Sequence, residues 1–206
     1  MFDTAIADKE MKEWEAMHKY IYDKFNLTGK ERILDVGCSY GSNLQHFSPD
    51  SIGIDCNVDI VEYARKKGLH MHSVNMEYGF NLDPSEKFDL IWSSDVLAHL
   101  TNPYKILMEC RKHMVAGSRL MIQIPQYSPV MKGYVSVHHF YAWNYPTLKY
   151  LLESAGFKIK DVSGFVRHFP GWINAILEPA LLLWGPNLWV LAEIDMERKE
   201  RQGYRD

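Results

Sequence analysis

Residues 33–43 read Ile-Leu-Asp-Val-Gly-Cys-Ser-Tyr-Gly-Ser-Asn, an apolar strand with one acid inside it that runs into a turn bracketed by Gly37 and Gly41. A second acid, Asp55, closes the next apolar run twenty residues after Asp35. A strand ending in glycine lets a ligand lie against bare backbone, and an acid at the end of the following strand can accept hydrogen bonds from ribose hydroxyls. The chain is thereby committed to a strand–turn–helix–strand unit with a nucleoside site at the carboxyl ends of its strands.

The rest of the chain continues that alternation. Short runs at Arg32–Val36, Ser51–Asp55, Met71–Val74, Phe88–Ser93 and Leu120–Ile124 read as strands. Between them fall a short helix after Ser42, a helix from Val58 that stops at Gly68, and one over 103–115 with Asn102 as N-cap and Gly117 just past its end. Pro146–Ala155 reads as a further helix stopped at Gly156, and two more strands follow over 157–165 and 187–196. Ahead of all this, Trp14, Met17, Ile21 and Phe25 recur at helical spacing and predict an amphipathic helix over 9–25. This order predicts one α/β domain over 1–206, a mostly parallel sheet between two helical layers. At 206 residues, nearly half of them apolar, the chain can bury such a core.

The turn also discriminates between nucleosides. A dinucleotide site would place glycine at positions 37, 39 and 42 to admit a pyrophosphate, but Ser39 and Ser42 carry side chains, which sets a nicotinamide oxidoreductase well behind other readings. With Asp35 ahead of it, Asp-Val-Gly-Cys-Ser-Tyr-Gly resembles motif I of the class I S-adenosylmethionine-dependent methyltransferases, acid-x-Gly-x-Gly-x-Gly, with Ser39 at the middle glycine. The resemblance covers Ile33–Ile124 well and runs more loosely to the last strand. It implies a Rossmann-like sandwich of seven strands, the last antiparallel, with S-adenosylmethionine as cofactor. It also implies that Asp35, Gly37, Ser39 and Gly41 face the cofactor, that Asp55 holds the ribose, and that Cys56, Asn75 and Met76 lie near the adenosine. A hydroxyl at position 39 can bond the methionine carboxylate, and the amide of Asn75 can accept from adenine, although Asn75 also suits a simple turn.

Two later stretches carry the acceptor side. Residues 88–103, Phe-Asp-Leu-Ile-Trp-Ser-Ser-Asp-Val-Leu-Ala-His-Leu-Thr-Asn-Pro, resemble the family's fourth strand and the turn after it, with Ala98 where a glutamate is usual. Asp95 falls at the cofactor's methionine end or the acceptor, Asp89 reads as a structural cap, and His99 reads either as a base or as a structural histidine. Residues 137–146, Val-His-His-Phe-Tyr-Ala-Trp-Asn-Tyr-Pro, resemble a stretch that borders the acceptor pocket in small-molecule methyltransferases, so His138, His139, Tyr141 and Trp143 are candidates for gripping substrate, against a packed aromatic connection. His99 and His139 are the expected catalytic residues, since imidazole titrates near neutrality.

The function expected on this resemblance is methyl transfer to a small or amphipathic metabolite, with a cofactor-holding protein that does not turn over as the alternative, prompted by Ser39 and Ala98. A net charge of −3 with no Lys/Arg run argues against nucleic acid as partner. Cys38, Cys56 and Cys110 lack paired spacing, so neither a disulfide frame nor zinc is expected, and His70 and His72 lack a third ligand. No metal is therefore expected. With no signal-like N-terminus the expected compartment is the cytoplasm. The apolar stretch over about 171–186, between the last two strands, is too short and too interrupted by Glu178, Pro179 and Pro186 to cross a membrane. It predicts a helix packed on the sheet or a homodimer partner, or else an apolar lid or a peripheral membrane contact.

Overall fold

The computed structural model describes residues 15–127, 138–166 and 169–197, with side chains of the first helix from Tyr20 onward. In chain order the elements are α1 (Glu15–Lys24), β1 (Ile33–Val36), β2 (Ile52–Asp55), α2 (Val58–Lys66), β3 (Met71–Ser73), β4 (Leu90–Ser94), α3 (Pro103–Lys112), β5 (Arg119–Pro125), α4 (Tyr145–Ser154), β6 (Phe157–Phe165), α5 (Gly171–Trp184) and β7 (Asn187–Ile194). Single turns of 3-10 helix occur at 44–46, 76–78 and 97–99. The strands form one seven-stranded sheet in the order β3-β2-β1-β4-β5-β7-β6, parallel except for β7, which is antiparallel to both β5 and β6. The predicted fold class is the observed one.

Period-two alternation divides the strand side chains between two cores. Leu34, Val36, Ile91, Leu120, Ile122 and Ile124 point to one face, where Ile106, Leu107 and Cys110 of α3 and Leu148 and Leu152 of α4 meet them. Ile33, Leu90, Trp92 and Met121 point to the other, covered by Ile21 and Phe25 of the α1 segment and Val61 and Ala64 of α2. Trp92 and Trp189 lie at the centre of this second face, both fully buried, with ring centroids 5.1 Å apart.

Helix ends follow local chemistry. Asn57, Asn102 and Asn144 each cap a helix, accepting from the backbone N–H three residues on. The helix expected over 103–115 stops earlier, at Lys112, because His113 already turns the chain, its N–H donating to Cys110 O at 3.0 Å. The expected helix over 9–25 is present over its described part, and Trp14 lies outside the described residues. Asp89 is the structural acid the sequence suggested: its Oδ2 accepts from Arg32 N at 2.8 Å, beside β1.

Glu31 joins the loop after α1 to β5. Its carboxylate accepts from Thr28 N and Oγ1 and pairs with Arg119 at 2.9 Å. Burial pushes its carboxyl up, but the Thr28 hydrogen bonds and Arg119 outweigh it and hold the group below its ordinary value of 4.5. A depressed carboxyl stabilises the fold above its unfolded pKa, and that contribution disappears as pH falls through the folded value. Glu31→Gln should therefore lower stability by about 1.5–3 kcal/mol near neutrality. In urea denaturation the gap between variant and parent should close as pH falls below the ordinary glutamate value; a gap that persists at acid pH would mean that packing, not charge, is what was lost.

The apolar segment after β6 is a helix, α5, as predicted. It lies against β6 so closely that a Cβ on Gly164 would stand 2.2 Å from the Leu181 carbonyl carbon. Asn174 is fully buried and fastens its first turns, accepting from Val166 N and donating to Val166 O and Phe169 O. Backbone at that distance cannot yield as a side-chain tip would, so Gly164→Ala should destabilise the protein by about 1–3 kcal/mol or more. Hydrogen exchange should localise the loss to α5 and β6; uniform protection in the variant would refute the close approach.

Candidate functional site

The turn after β1 is built by three backbone N–H groups that donate to β2, two to a carbonyl and one to a side chain. Gly37 N and Cys38 N both donate to Ile54 O, and Ser39 N donates to Asp55 Oδ2 at 3.0 Å. The other oxygen of Asp55 accepts from Asn57 N at 2.9 Å, which aims the carboxylate and starts α2. Gly37 is required twice over: its φ is +73°, and a Cβ there would stand 2.3 Å from Val96 Cγ2. Ser39 also takes a positive φ, 48°, in the left-handed region that glycine favours.

Asp35 is fully buried at the centre of the sheet, and neither carboxylate oxygen has a hydrogen-bond partner. Burial, with Asp55 nearby, pushes its carboxyl well above the ordinary value. A buried acid without a partner is costly unless something satisfies it. Asp35, Asp55 and Asp95 belong to β1, to β2 and to the residue after β4, strands adjacent in the order β2-β1-β4, so three acids stand in a row at their carboxyl ends. The two acids of that row that reach the surface, Asp55 and Asp95, can accept from ribose hydroxyls and attract a positively charged ligand.

Asp95 is held in a left-handed conformation, φ 59°, with its N–H donating to Gln123 O at 3.0 Å. Gln123 belongs to no motif, yet an amide in the apolar run Leu-Met-Ile-Gln-Ile is a sequence signal for a buried polar contact. Its Oε1 accepts from Ser94 Oγ, and its Nε2 donates to Asn187 of β7. Asp95 opens to solvent on one side, but burial of its other side holds its carboxyl above the ordinary value, an effect that His99 and His139 offset only in part.

The fold brings the two candidate catalytic histidines together. Their rings meet edge to face with centroids 4.6 Å apart. Phe140 N donates to Ala98 O at 2.8 Å, which fixes the loop carrying His139 on the turn carrying His99. His99 Nδ1 lies 3.3 Å from His138 O. Burial and then the neighbouring His99 depress the His139 imidazole, against the pull of Asp95. His138 itself is exposed.

Other candidates divide. Tyr141 is partly exposed and donates from its hydroxyl to Thr101 O at 2.8 Å. Trp143 is buried among core residues, its ring 5.3 Å from that of Tyr141, so it is the packed aromatic connection rather than a substrate grip. Asn75 caps the turn at 76–78 through Glu77 N and remains exposed; Met76 is buried in the core, which leaves only its backbone to face a ligand. Cys56 is exposed, whereas Cys38 and Cys110 are buried; all three are unbridged, and burial pushes every one of the thiols up. None is suited to act as a thiolate.

A family model described as a methyltransferase domain matches residues 10–162. The chain belongs to the methyltransferase-domain family. Within the class I superfamily, the solved S-adenosylmethionine-dependent methyltransferase of Archaeoglobus fulgidus is similar over 85% of this chain and 92% of its own, with 20% identity and a TM-score of 0.65. The S-adenosylmethionine-dependent methyltransferase of Clostridium acetobutylicum is similar over 89% and 92%, at 16% identity and a TM-score of 0.64. Among curated relatives, a ubiquinone biosynthesis O-methyltransferase of Xanthomonas oryzae is 25% identical over 75% of this chain and 73% of its own. A phosphoethanolamine N-methyltransferase of Arabidopsis thaliana is 26% identical over 50% of this chain and 23% of its own. The chain spans less than half the length of the first curated relatives it matches.

The family implies S-adenosylmethionine as cofactor, and the residues present fit it. The positive-φ turn between Gly37 and Gly41 leaves backbone without side chains, and Asp55 at the end of β2 offers carboxylate oxygens to ribose hydroxyls, which is what a sulfonium nucleoside requires at these two places.

Proposed function

We propose that this methyltransferase-family chain transfers a methyl group from S-adenosylmethionine to the hydroxyl or amine of a small or amphipathic acceptor. The observation that carries the proposal is the continuity of the row Asp35, Asp55, Asp95 with the His99–His139 pair, where a cofactor site runs into groups able to take a proton. Asp55, Ser39 and the backbone at Gly37 and Gly41 hold the nucleoside, and Asp95 faces its methionine end, while Asp35 lies buried behind the site. When bound, the cofactor supplies a methyl group activated by a positive sulfur. The protein aligns the acceptor oxygen or nitrogen in line with that methyl, and His99 or His139 accepts the acceptor's proton. The O- and N-methyltransferase names of the relatives support a hydroxyl or amine acceptor.

Calorimetry tests the cofactor assignment. S-adenosylmethionine and S-adenosylhomocysteine should bind, and NAD should not; tighter binding of NAD than of either sulfur nucleoside would overturn it.

The exposed side of α5 carries Trp172, Ile176, Leu183 and Trp184, with Trp172 67% and Ile176 69% exposed. Among the described residues no helix is long and apolar enough to cross a membrane. We assign this surface to covering the acceptor or a subunit contact. Hydrogen exchange in α5 should then fall on adding acceptor or on raising protein concentration; exchange indifferent to both, and to cofactor, would remove both roles.

A further inference from the structure

We propose that Asp95, His99 and His139 form a binding site for a divalent transition-metal cation, of the class that takes imidazole and carboxylate together: zinc, ferrous iron or cobalt. The inference deepens the acceptor side of the methyltransferase reading and rests on it for its role, though not for its existence. One ligand atom from each of the three residues lies within 4.8 Å of the others, and among the described residues no other histidine, cysteine or carboxylate trio does so. The His70–His72 pair, with ring centroids 5.1 Å apart, is not part of any such trio.

Three independent features make this a built site. Asp95 takes a left-handed backbone, φ 59°, which aspartate tolerates, and its N–H donates to Gln123 O, which fixes the turn that carries the carboxylate. His99 Nδ1 lies 3.3 Å from His138 O; with the proton on Nδ1 the backbone carbonyl fixes the ring and leaves Nε2 as the ligating nitrogen, the usual outer support of a metal-bound histidine. The loop carrying His139 is tied to the His99 turn by Phe140 N to Ala98 O at 2.8 Å, so the two rings approach through backbone bonding rather than chance rotamers. A four-coordinate ion held at about 2.0–2.2 Å by three protein ligands needs small rotations of these side chains and keeps one position open, as sites that act on a ligand do. Two imidazoles and one carboxylate favour the borderline metals over magnesium or calcium, which prefer oxygen. The open position would be filled by water or by the acceptor's oxygen, whose proton the cation makes easier to lose to solvent; with the cation bound, His99 and His139 act as ligands in place of the proton acceptors they are in the metal-free protein. An oxygen acceptor able to ligate is therefore the favoured substrate class.

The test is cobalt titration of chelator-stripped full-length protein, followed by visible absorption and calorimetry, with zinc as competitor. The expected result is one cobalt per chain with ligand-field bands, displaced by zinc, and a loss of affinity of at least about tenfold in each of His99→Ala and His139→Ala. S-adenosylhomocysteine affinity, measured on the same samples, should be retained in both variants and shows that they are folded. Absence of stoichiometric cobalt binding in the parent, or undiminished binding in the double variant, would overturn the metal site while leaving the cofactor reading intact. Metal binding without any S-adenosylhomocysteine binding would sink the cofactor reading and keep the site.

Discussion

Replacing either His99 or His139 by alanine should lower methyl transfer by about two orders of magnitude or more while leaving cofactor affinity nearly unchanged. The rings lie together beside Asp95, at the end of the acid row and away from Asp55, so on the proposed roles their loss would remove proton acceptance and acceptor alignment but no nucleoside contact. General base catalysis typically contributes a factor of about 10²–10⁴. The measurement is formation of S-adenosylhomocysteine with the best acceptor found among small phenols, alcohols and amines, alongside calorimetry of cofactor binding. Full turnover in both variants would leave catalysis to positioning alone. Collapse of cofactor affinity in either would move the histidines into the nucleoside site.

Asp55→Ala should behave in the opposite way, weakening S-adenosylmethionine and S-adenosylhomocysteine by about ten- to a hundredfold. One charged hydrogen bond is worth about 1.5–3 kcal/mol, and each 1.4 kcal/mol is a factor of ten in affinity. The structure adds a second route to the same loss. The Asp55 carboxylate accepts from Ser39 N and from Asn57 N, so alanine also releases the glycine turn and the start of α2. Asp55→Asn separates the two effects. It keeps an oxygen for one backbone amide and gives up the charge, so its loss should fall between parent and alanine. Thermal unfolding followed alongside calorimetry checks that each variant remains folded. Unchanged cofactor affinity in Asp55→Ala would remove the basis of the site.

The alternation of strands and helices was legible in the sequence because it rests on short-range physics. Short apolar runs such as Leu120–Ile124, the asparagine cap at position 102 and the glycine turn after β1 are each written within a few residues, whereas the caps at Asn57 and Asn144 came from the structure. The same holds for the positions of Asp35 and Asp55, which fall at the ends of the first two strands. The antiparallel β7 was legible through resemblance rather than through periodicity, which does not encode strand direction.

Side-chain destinations were less legible. Met76 and Trp143 stand beside polar residues in turns and read as site candidates, yet both side chains are buried in the core. Ser39, where the motif has glycine, stands in the left-handed backbone region, which its residue type does not announce. By itself the sequence determined the fold class, the nucleoside turn and the residue types on the acceptor side, since each is set by neighbours along the chain. Only the tertiary structure decided that His139 meets His99 and Asp95 across a forty-residue separation. That meeting depends on one backbone bond between distant turns and on the burial of Trp143 and Gln123, long-range contacts that no local pattern records.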